Sequence, residues 1–358
     1  MGLKLGEQLR ALPGPILVTG HTGFKGTWLT FLLERLGVPT VGYSLAPEKN
    51  SLYDRAQLAG KIPEIYADIR DAETLKKFIA IHRPSAIIHM AAQPLVLQSY
   101  KTPRETFDVN VMGTVDILDQ AFATDFVKAV IVVTTDKVYR NNNSGKAFVE
   151  SDPLEGKDPY SASKVGAEAA VSAWQQIQKI SGGPKVVSVR AGNVIGGGDW
   201  AENRLIPDLV RGFISGKPIE IRNPESTRPW QHVLEPLVGY LMTLEYVLGG
   251  GFISSINFAP EELNMSVIEV VGIAKKSWGT GTEINFKNYL EKSELESTNL
   301  TLNSQYSHKL FPQLLSIKQE SAVNLAIKWW KDIHDLELTP QQACFKNIDS
   351  YLSLSSGH

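Results

Sequence analysis

The sequence is poor in the features that mark several classes of protein. Its 358 residues include one cysteine, Cys344, which excludes an internal disulfide and a thiolate metal cluster. A formal net charge of −2 gives no indication of binding to nucleic acid or to an anionic membrane. No apolar run approaches the roughly 18 residues of a membrane span, and the first residues lack the apolar core of a signal peptide. The seven histidines are scattered, without paired metal spacing. We expect a cytoplasmic protein that binds no metal.

Short apolar runs alternate with helical patterns through the first half of the sequence. Strands are predicted at residues 16–18, 40–43, 65–67, 86–90 and 129–133, and helices between them at 28–36, 72–81 and 106–122. Nearly continuous apolar strands that alternate with helices are typical of a parallel sheet covered on both faces. We therefore predict an α/β protein with a Rossmann-type doubly wound parallel sheet, whose ligands bind beyond the carboxyl ends of the strands.

The second half loses this simple alternation. Further strands are predicted at 185–189, 255–258 and 283–286, with helices near 235–247, 266–275 and 320–330. We expect a nucleotide-binding domain over residues 1–191 and a smaller mixed α/β domain, mainly substrate-binding, over 192–358. Some segments, at about 225–260, are expected to return to the first domain.

A glycine-rich turn follows the first predicted strand and opens the first helix. Gly20, Gly23 and Gly26 have the spacing G-x-x-G-x-x-G. Glycine allows the backbone to approach a pyrophosphate, and a helix N-terminus carries a partial positive charge. This context predicts a dinucleotide site; the alternative is a tight turn without a ligand.

The adenosine side of this site is less well defined. The second strand ends without the acidic residue that usually holds the ribose. Ser44 there could bond a ribose hydroxyl or, with Lys49 nearby, a 2′-phosphate, so both NAD and NADP stay open. Asp68 after the third strand is placed to meet the adenine amino group or to cap the following helix.

Tyr160 and Lys164 form a Tyr-x-x-x-Lys pair, which shares one face of a helix. The lysine would lower the pKa of the phenol toward neutrality, so that the phenolate accepts a proton from a sugar hydroxyl. Thr135, at the end of the strand 129–133, would bond the reacting oxygen. The alternative for the pair is an exposed start of a helix.

Together these features resemble the extended short-chain dehydrogenase/reductases, which modify sugars attached to nucleoside diphosphates. The resemblance rests on the glycine turn, on the string HMAA at 89–92, on Asn110, on Thr135 and on the Tyr160/Lys164 pair. It implies NAD as cofactor and the following cofactor-binding residues: Gly20, Thr22, Gly23, Phe24, Lys25, Gly26, Ser44, Asp68, Ile69, Ala91, Ala92, Gln93, Asn110, Tyr160 and Lys164.

Longer strings resemble the members of that family that act as 4,6-dehydratases on CDP-glucose. They are HTGFKGTW at 21–28, MAAQPLV at 90–96, RAGNVIGGGDW at 190–200, RLIPD at 204–208 and RPWQHVLEPL at 228–237. The chain departs from the family at Leu97, where an arginine is frequent, and at 141–146, where an aromatic stretch is usual. These departures leave the exact nucleotide and sugar open.

A 4,6-dehydratase oxidises C4, loses water across C5 and C6, and returns the hydride to C6. The resemblance makes Tyr160 the C4 base and Asp136 the acid for the C6 hydroxyl. Lys137 is the candidate C5 base, which requires a neutral amine; its alternative is a salt bridge at the end of a strand.

Residues on the expected substrate side are Gln93 and Ser99 for the sugar, and Asn193, Arg204 and Arg228 for the diphosphate. For each arginine a surface salt bridge is the alternative. Members of the family often pair two long helices into a four-helix interface, which suggests a homodimer through residues 102–122 and 160–179. The competing functions are another nucleotide-sugar epimerase or decarboxylase of the same fold, against which Asp136 argues, and a non-catalytic NAD-binding regulator, which would be expected to lose Tyr160 or Lys164.

Overall fold

A computed structural model describes residues 5–142, 145–201, 204–262, 264–287 and 300–355 of the chain. Its strands are β1 Ile16–Thr19, β2 Thr40–Ser44, β3 Glu64–Tyr66, β4 Ala86–His89, β5 Ala129–Val133, β6 Lys185–Ala191, β7 Val194–Ile195, β8 Ile219–Arg222, β9 Thr227–Arg228, β10 Gln231–His232, β11 Ser255–Phe258, β12 Met265–Ser266 and β13 Ile284–Lys287.

The helices alternate with these strands in the first half and cluster in the second. They are α1 Glu7–Arg10, α2 Phe24–Arg35, α3 Leu52–Arg55, α4 Ala72–His82, α5 Val96–Lys101, α6 Pro103–Phe107, α7 Gly113–Phe122, α8 Pro159–Ser181, α9 Leu205–Ser215, α10 Leu234–Leu248, α11 Val267–Trp278, α12 Gln305–Leu310, α13 Gln319–Leu336 and α14 Pro340–Ser355. A π-helical turn, Asp108–Met112, joins α6 to α7, and a 3₁₀ turn, Asp136–Val138, follows β5. Within the described ranges no helix is both long and apolar enough to cross a membrane.

Seven strands form one parallel sheet in the order β3-β2-β1-β4-β5-β6-β11. Residues in the inner strands are buried on both faces: Ile16 and Val18 belong to one apolar cluster, and Leu17 belongs to the other. The strand order reverses between β1 and β4, and a doubly wound sheet binds its ligands at that point. The predicted Rossmann-type sheet is confirmed, and the glycine turn lies at its switch point.

The second half adds small strand pairs and helices beyond the sheet. Strands β8 and β13 pair in parallel, β9 and β12 pair antiparallel, and β7 pairs with β10. The chain returns to the central sheet at β11, after α10 has packed against β5 and β6. Helix α14 also returns and packs against α2, where Arg35 and Asp349 form an ion pair at 2.6 Å. A substrate-binding role for the second domain stays a proposal.

Candidate active site

The glycine turn is shaped for close approach by a ligand. Gly20 has a φ of +72°, and a Cβ there would lie 2.8 Å from the backbone nitrogen of Ala91. At Gly26 a Cβ would lie 2.1 Å from the carbonyl oxygen of Gly20. Gly23 precedes α2 as its N-cap and offers no side chain to the first N–H groups, which have no carbonyl partner within a helix. The turn and these N–H groups fit a dinucleotide pyrophosphate.

Hydroxyl groups replace the usual acid at the end of β2. The hydroxyls of Thr22 and Ser44 are 2.7 Å apart, and Thr22 also donates to the carbonyl of Leu45 at 3.0 Å. Both side chains are buried. They lie beside the glycine turn, as expected for residues near the adenosine ribose.

Asp68 lies after β3, where it forms an ion pair with Arg70 at 2.6 Å. Hydrogen bonding from Arg70 lowers the pKa of Asp68. The cap of α4 is Asp71, which accepts from the Thr74 N–H, so the helix-cap alternative for Asp68 is wrong. Ile69 is buried against Gly113. A Cβ added at Gly113 would lie 2.8 Å from the Cγ2 atom of Ile69.

Asn110 connects the loop after β4 to α8. Its Oδ1 accepts from the Gln93 N–H at 2.8 Å, and its Nδ2 donates to the Gln93 carbonyl at 3.1 Å and to the Ser163 hydroxyl at 2.9 Å. Asn110 belongs to the π-helical turn, where the Gly113 N–H donates to the Asp108 carbonyl. The single helix predicted over 106–122 is therefore interrupted, and π turns are frequent at functional sites.

Gln93 lies in the same loop, which follows β4, and its side chain bonds within that loop and to α6. Ala91 and Ala92 directly follow β4, and the Ala91 N–H lies 3.2 Å from the Thr19 hydroxyl. The Gln93 side chain donates to the Leu95 carbonyl at 3.1 Å and to the Thr106 hydroxyl at 3.0 Å. Both bonds are internal and order this loop, and the contact of Gln93 with a sugar stays a prediction.

Tyr160 lies in the first turn of α8, which the sequence caps strongly. Asp158 and Ser161 form a capping box, and Pro159 occupies the first helical position. The Tyr160 N–H, which has no partner within the helix, donates to the Ser99 hydroxyl at 3.1 Å. Ser99 is fully buried and donates in turn to Val96. This differs from the expected sugar contact, and it makes Ser99 a residue that positions Tyr160.

Lys164 lies one turn after Tyr160 and donates to the Val133 carbonyl at 3.1 Å. Burial lowers the pKa of Lys164 to about 8, and the carboxylate of Glu168 opposes that effect. Burial raises the pKa of Tyr160, while the ammonium of Lys137 and a hydrogen bond with Thr135 act to lower it. The expected fall of the Tyr160 pKa toward neutrality is therefore wrong for this structure, because loss of solvation outweighs the nearby cation.

Thr135, Asp136 and Lys137 form a tight group at the end of β5. The carboxylate of Asp136 accepts from the Thr135 hydroxyl at 2.9 Å and from the Lys137 ammonium at 3.2 Å. Its side chain is almost fully buried, and a Cβ at Gly192 would lie 3.2 Å from its Oδ2. Burial lowers the pKa of Lys137, but Asp136 and Tyr160 more than offset it, so that the pKa is raised overall. The group brings together a hydroxyl, a carboxylate and an ammonium beside the phenol.

The two expected substrate arginines each act electrostatically on a lysine of the site. Arg204 forms an ion pair with Asp199 at 2.9 Å, which is the salt-bridge alternative, and its charge also acts on Lys25. Arg228 donates to the Thr227 carbonyl at 2.8 Å, and its charge acts on Lys137.

Asn193 is half-buried between β6 and β7, where its carbonyl accepts from Gln231. Leu97, one of the departures from the family, is exposed. In the other departure, over 141–146, Asn143 and Ser144 lie outside the described residues.

A buried ion pair, Glu168–Arg190, joins α8 to β6 and was not predicted from the sequence. Glu168 accepts two bonds from Arg190, each of 2.8 Å, and also bonds the hydroxyls of Thr134 at 2.6 Å and Ser188 at 2.8 Å. A signal was available, since Glu168 follows Lys164 by four residues and shares its helical face.

Comparisons of the sequence with known proteins agree with this geometry. Residues 16–251 match the model of the NAD dependent epimerase/dehydratase family. The chain is 44% identical to the CDP-glucose 4,6-dehydratase of Salmonella typhimurium over 264 residues, which are 72% of this chain and 74% of the relative. It is 28% identical to the dTDP-glucose 4,6-dehydratase of Neisseria gonorrhoeae over 270 residues, which are 72% of this chain and 76% of the relative.

Solved structures share the fold. The dTDP-glucose 4,6-dehydratase of Bacillus anthracis in complex with NAD aligns with a TM-score of 0.74 at 21% identity, over 92% of this chain and 99% of that one. The UDP-glucose 4-epimerase of Thermotoga maritima aligns with a TM-score of 0.77 at 19% identity, over 90% and 100% of the two chains. With the family match and the glycine cradle at the sheet's switch point, these findings lead to one conclusion: the chain belongs to the NAD dependent epimerase/dehydratase family and uses NAD as its cofactor.

Proposed function

We propose that this enzyme is a nucleotide-sugar 4,6-dehydratase that converts CDP-D-glucose to CDP-4-dehydro-6-deoxy-D-glucose and water. The observation that carries the proposal is the group of Thr135, Asp136 and Lys137 beside Tyr160, because oxidation alone needs only a base and its partners. The 44% identity to a CDP-glucose 4,6-dehydratase supports the choice of substrate.

Oxidation of C4 requires removal of the hydroxyl proton as the hydride leaves the same carbon. When bound, NAD accepts that hydride and later returns it to C6 of the sugar. Tyr160 in its phenolate form takes the proton from the C4 hydroxyl, and Thr135 bonds the same oxygen. The ammonium of Lys137 favours that phenolate form, and Lys164 would hold the nicotinamide ribose. Ser99 and the capping box fix the first turn of α8, so the phenol is aimed before the sugar arrives.

Loss of water requires one proton to reach the C6 hydroxyl and another to leave C5. Lys137 carries a proton in this structure, since its pKa is raised. We propose that this proton passes across the 3.2 Å contact to Asp136 and from Asp136 to the departing hydroxyl. The neutral Lys137 amine then takes the C5 proton and returns it to C5 as the hydride adds to C6. The proton that Tyr160 took from the C4 hydroxyl restores the Lys137 ammonium, so Tyr160 and Lys137 end the cycle as they began it. Lys137 thus forms the salt bridge with Asp136 as an ammonium and acts as the C5 base as a neutral amine.

The decisive experiment is incubation of the purified enzyme with CDP-glucose, with dTDP-glucose and UDP-glucose as matched substrates. We expect a 4-keto-6-deoxy product, 18 mass units lighter than the substrate, to form fastest from CDP-glucose. Formation of the C4 epimer without a mass change would establish the epimerase alternative. Faster conversion of another nucleotide sugar would retain the reaction and correct the nucleotide.

We also propose that the enzyme is a cytoplasmic homodimer that pairs through residues 102–122 and 160–179. Large apolar side chains are exposed on these segments: Phe107, Met112 and Ile177. Covering them would remove apolar surface from water. Light scattering during gel filtration tests the dimer, since a monomer mass of 39.4 kDa would contradict it. Cell fractionation tests the location.

A further inference from the structure

A second lysine–tyrosine pair lies beside the catalytic residues and has no role in the steps above. Lys25 belongs to the first turn of α2, within the glycine-rich turn. Its ammonium donates to the Tyr240 hydroxyl at 2.8 Å and lies 5.0 Å from the centre of that ring. Tyr240 is fully buried on α10, which packs against α2, β5 and β6. The pair therefore joins the pyrophosphate cradle to the body of the sheet.

The groups around Lys25 place it between the two ends of the cofactor site. Charges that act on it come from Lys164 on α8, from Arg204 before α9 and from Asp136 after β5. The Tyr240 phenol is also near enough to Tyr160 for the two to affect each other. The pyrophosphate fits the glycine turn, and the nicotinamide ribose is assigned to Lys164. We therefore infer that the nicotinamide ring would lie between these two points, in the region of Lys25.

This region disfavours positive charge. Burial lowers the pKa of Lys25 to about 7, the charges of Lys164 and Arg204 add to that effect, and Asp136 opposes it. An oxidised nicotinamide ring carries a positive charge, and a reduced ring is neutral. Surroundings that make an ammonium less stable also make the oxidised ring less stable relative to the reduced one.

We propose that Lys25, held in place by Tyr240, tunes the cofactor by weakening the binding of oxidised relative to reduced nicotinamide. The effect favours removal of the hydride from C4. The proposal rests on NAD as the cofactor of the family and does not depend on which nucleotide sugar is the substrate. At an effective dielectric of about 20, two unit charges within several ångströms of each other change an equilibrium by roughly ten- to a hundredfold. Asp136 offsets part of this repulsion, so we expect a change of about tenfold.

The test is the ratio of the dissociation constants of NAD and NADH, measured by titration of cofactor-free protein at a pH below the Lys25 pKa of about 7, where the ammonium is charged. Both forms share one pyrophosphate, so a general weakening of the site cancels in the ratio. In Lys25→Met the NAD constant divided by the NADH constant should fall about tenfold. Lys25→Arg, which keeps the charge, should have a ratio close to that of the unmodified enzyme. Tyr240→Phe, which removes the hydroxyl that holds the ammonium, should shift the ratio in the same direction by less. Lys76→Met on the exposed face of α4 is the matched control and should leave it unchanged.

An unchanged ratio in Lys25→Met would overturn the proposal. So would a loss of affinity for CDP with an unchanged ratio, because Lys25 would then bind the diphosphate of the substrate with Arg204. If Lys25→Met does not fold, the ratio in Tyr240→Phe decides, and equality with the unmodified enzyme counts against the proposal. None of these readouts depends on turnover, so a failed dehydratase assay leaves the test intact.

Discussion

The Glu168–Arg190 pair allows a prediction whose size follows from the geometry. Both side chains are only 5% exposed, and the carboxylate accepts four hydrogen bonds. Glu168→Gln keeps the shape but removes the charge, which leaves the buried Arg190 guanidinium without its hydrogen-bonded counter-charge, although the Glu150 carboxylate still acts on it. Breaking a buried pair in this way typically costs about 3–5 kcal/mol. We expect the free energy of unfolding to fall by about that amount.

The exposed pair of Arg35 and Asp349 provides a matched control. Both of its side chains are 48% exposed, so Asp349→Asn should cost at most about 1 kcal/mol. Urea unfolding, followed by circular dichroism, measures both losses in the free energy of unfolding. They follow from the shifts in the urea midpoint, provided that the slope of free energy against urea concentration is the same in each variant. If the two substitutions have the same small cost, the carboxylate of Glu168 does not need its charge, and our reading of the buried pair is wrong.

The same pair predicts a dependence on pH. Burial tends to raise the pKa of Glu168, but Arg190 and the two hydroxyls hold it below its usual value. A carboxyl whose pKa is lowered by folding stabilises the protein above the unfolded-state pKa. That contribution is lost as the pH falls from the ordinary glutamate range toward the lower folded-state pKa. The stability difference between the unmodified enzyme and Glu168→Gln should shrink over that interval.

Three further substitutions test the catalytic assignments. Tyr160→Phe should still bind NAD in a titration but turn over CDP-glucose about 10²–10⁴-fold more slowly, because the base is gone while the cradle remains; near-normal turnover would refute that role. Asp136→Asn should slow loss of water by a similar factor while C4 oxidation continues, so absorbance of reduced nicotinamide should rise after substrate is added. If that absorbance is absent although the substrate binds, Asp136 serves the oxidation or the fold. Ser99→Ala should lower the free energy of unfolding by about 1 kcal/mol, since the Tyr160 N–H loses its acceptor; an unchanged urea midpoint would contradict this.

The central sheet was predictable because its signal is local. The runs at 16–18, 40–43 and 129–133 coincide with β1, β2 and β5 to within one residue. A parallel strand buried on both faces must be apolar throughout, so the sequence shows it directly. The second half was less accessible: β8, α9 and α14 were not predicted. Helix α14 has a weak apolar pattern of its own, and its position depends on contact with α2, more than 300 residues earlier in the sequence.

Some residues of the candidate site could likewise be predicted from the sequence, and others could not. Motif residues such as Tyr160 and Lys164 were identifiable because a fixed spacing brings them together on one helix. The Lys25–Tyr240 contact was not, since the two residues are 215 positions apart and Tyr240 lies in a mainly apolar helix. The roles of Ser99 and Gln93 were also out of reach, because the sequence shows that a side chain can form hydrogen bonds but not which partner it has.

The π-helical turn at Asp108–Met112 limits how this part of the gene can change length. An α-helix turns by about 100° per residue. Deleting one residue between Asp108 and Met112 would restore regular helical winding and leave the flanking turns close to their present register, but the residues that remain within the turn would be displaced by up to that angle. Asn110 would then no longer meet both the Gln93 backbone and the Ser163 hydroxyl. Insertions and deletions should therefore be tolerated in the loops around this helix but eliminated within it, even where each remaining side chain is unchanged.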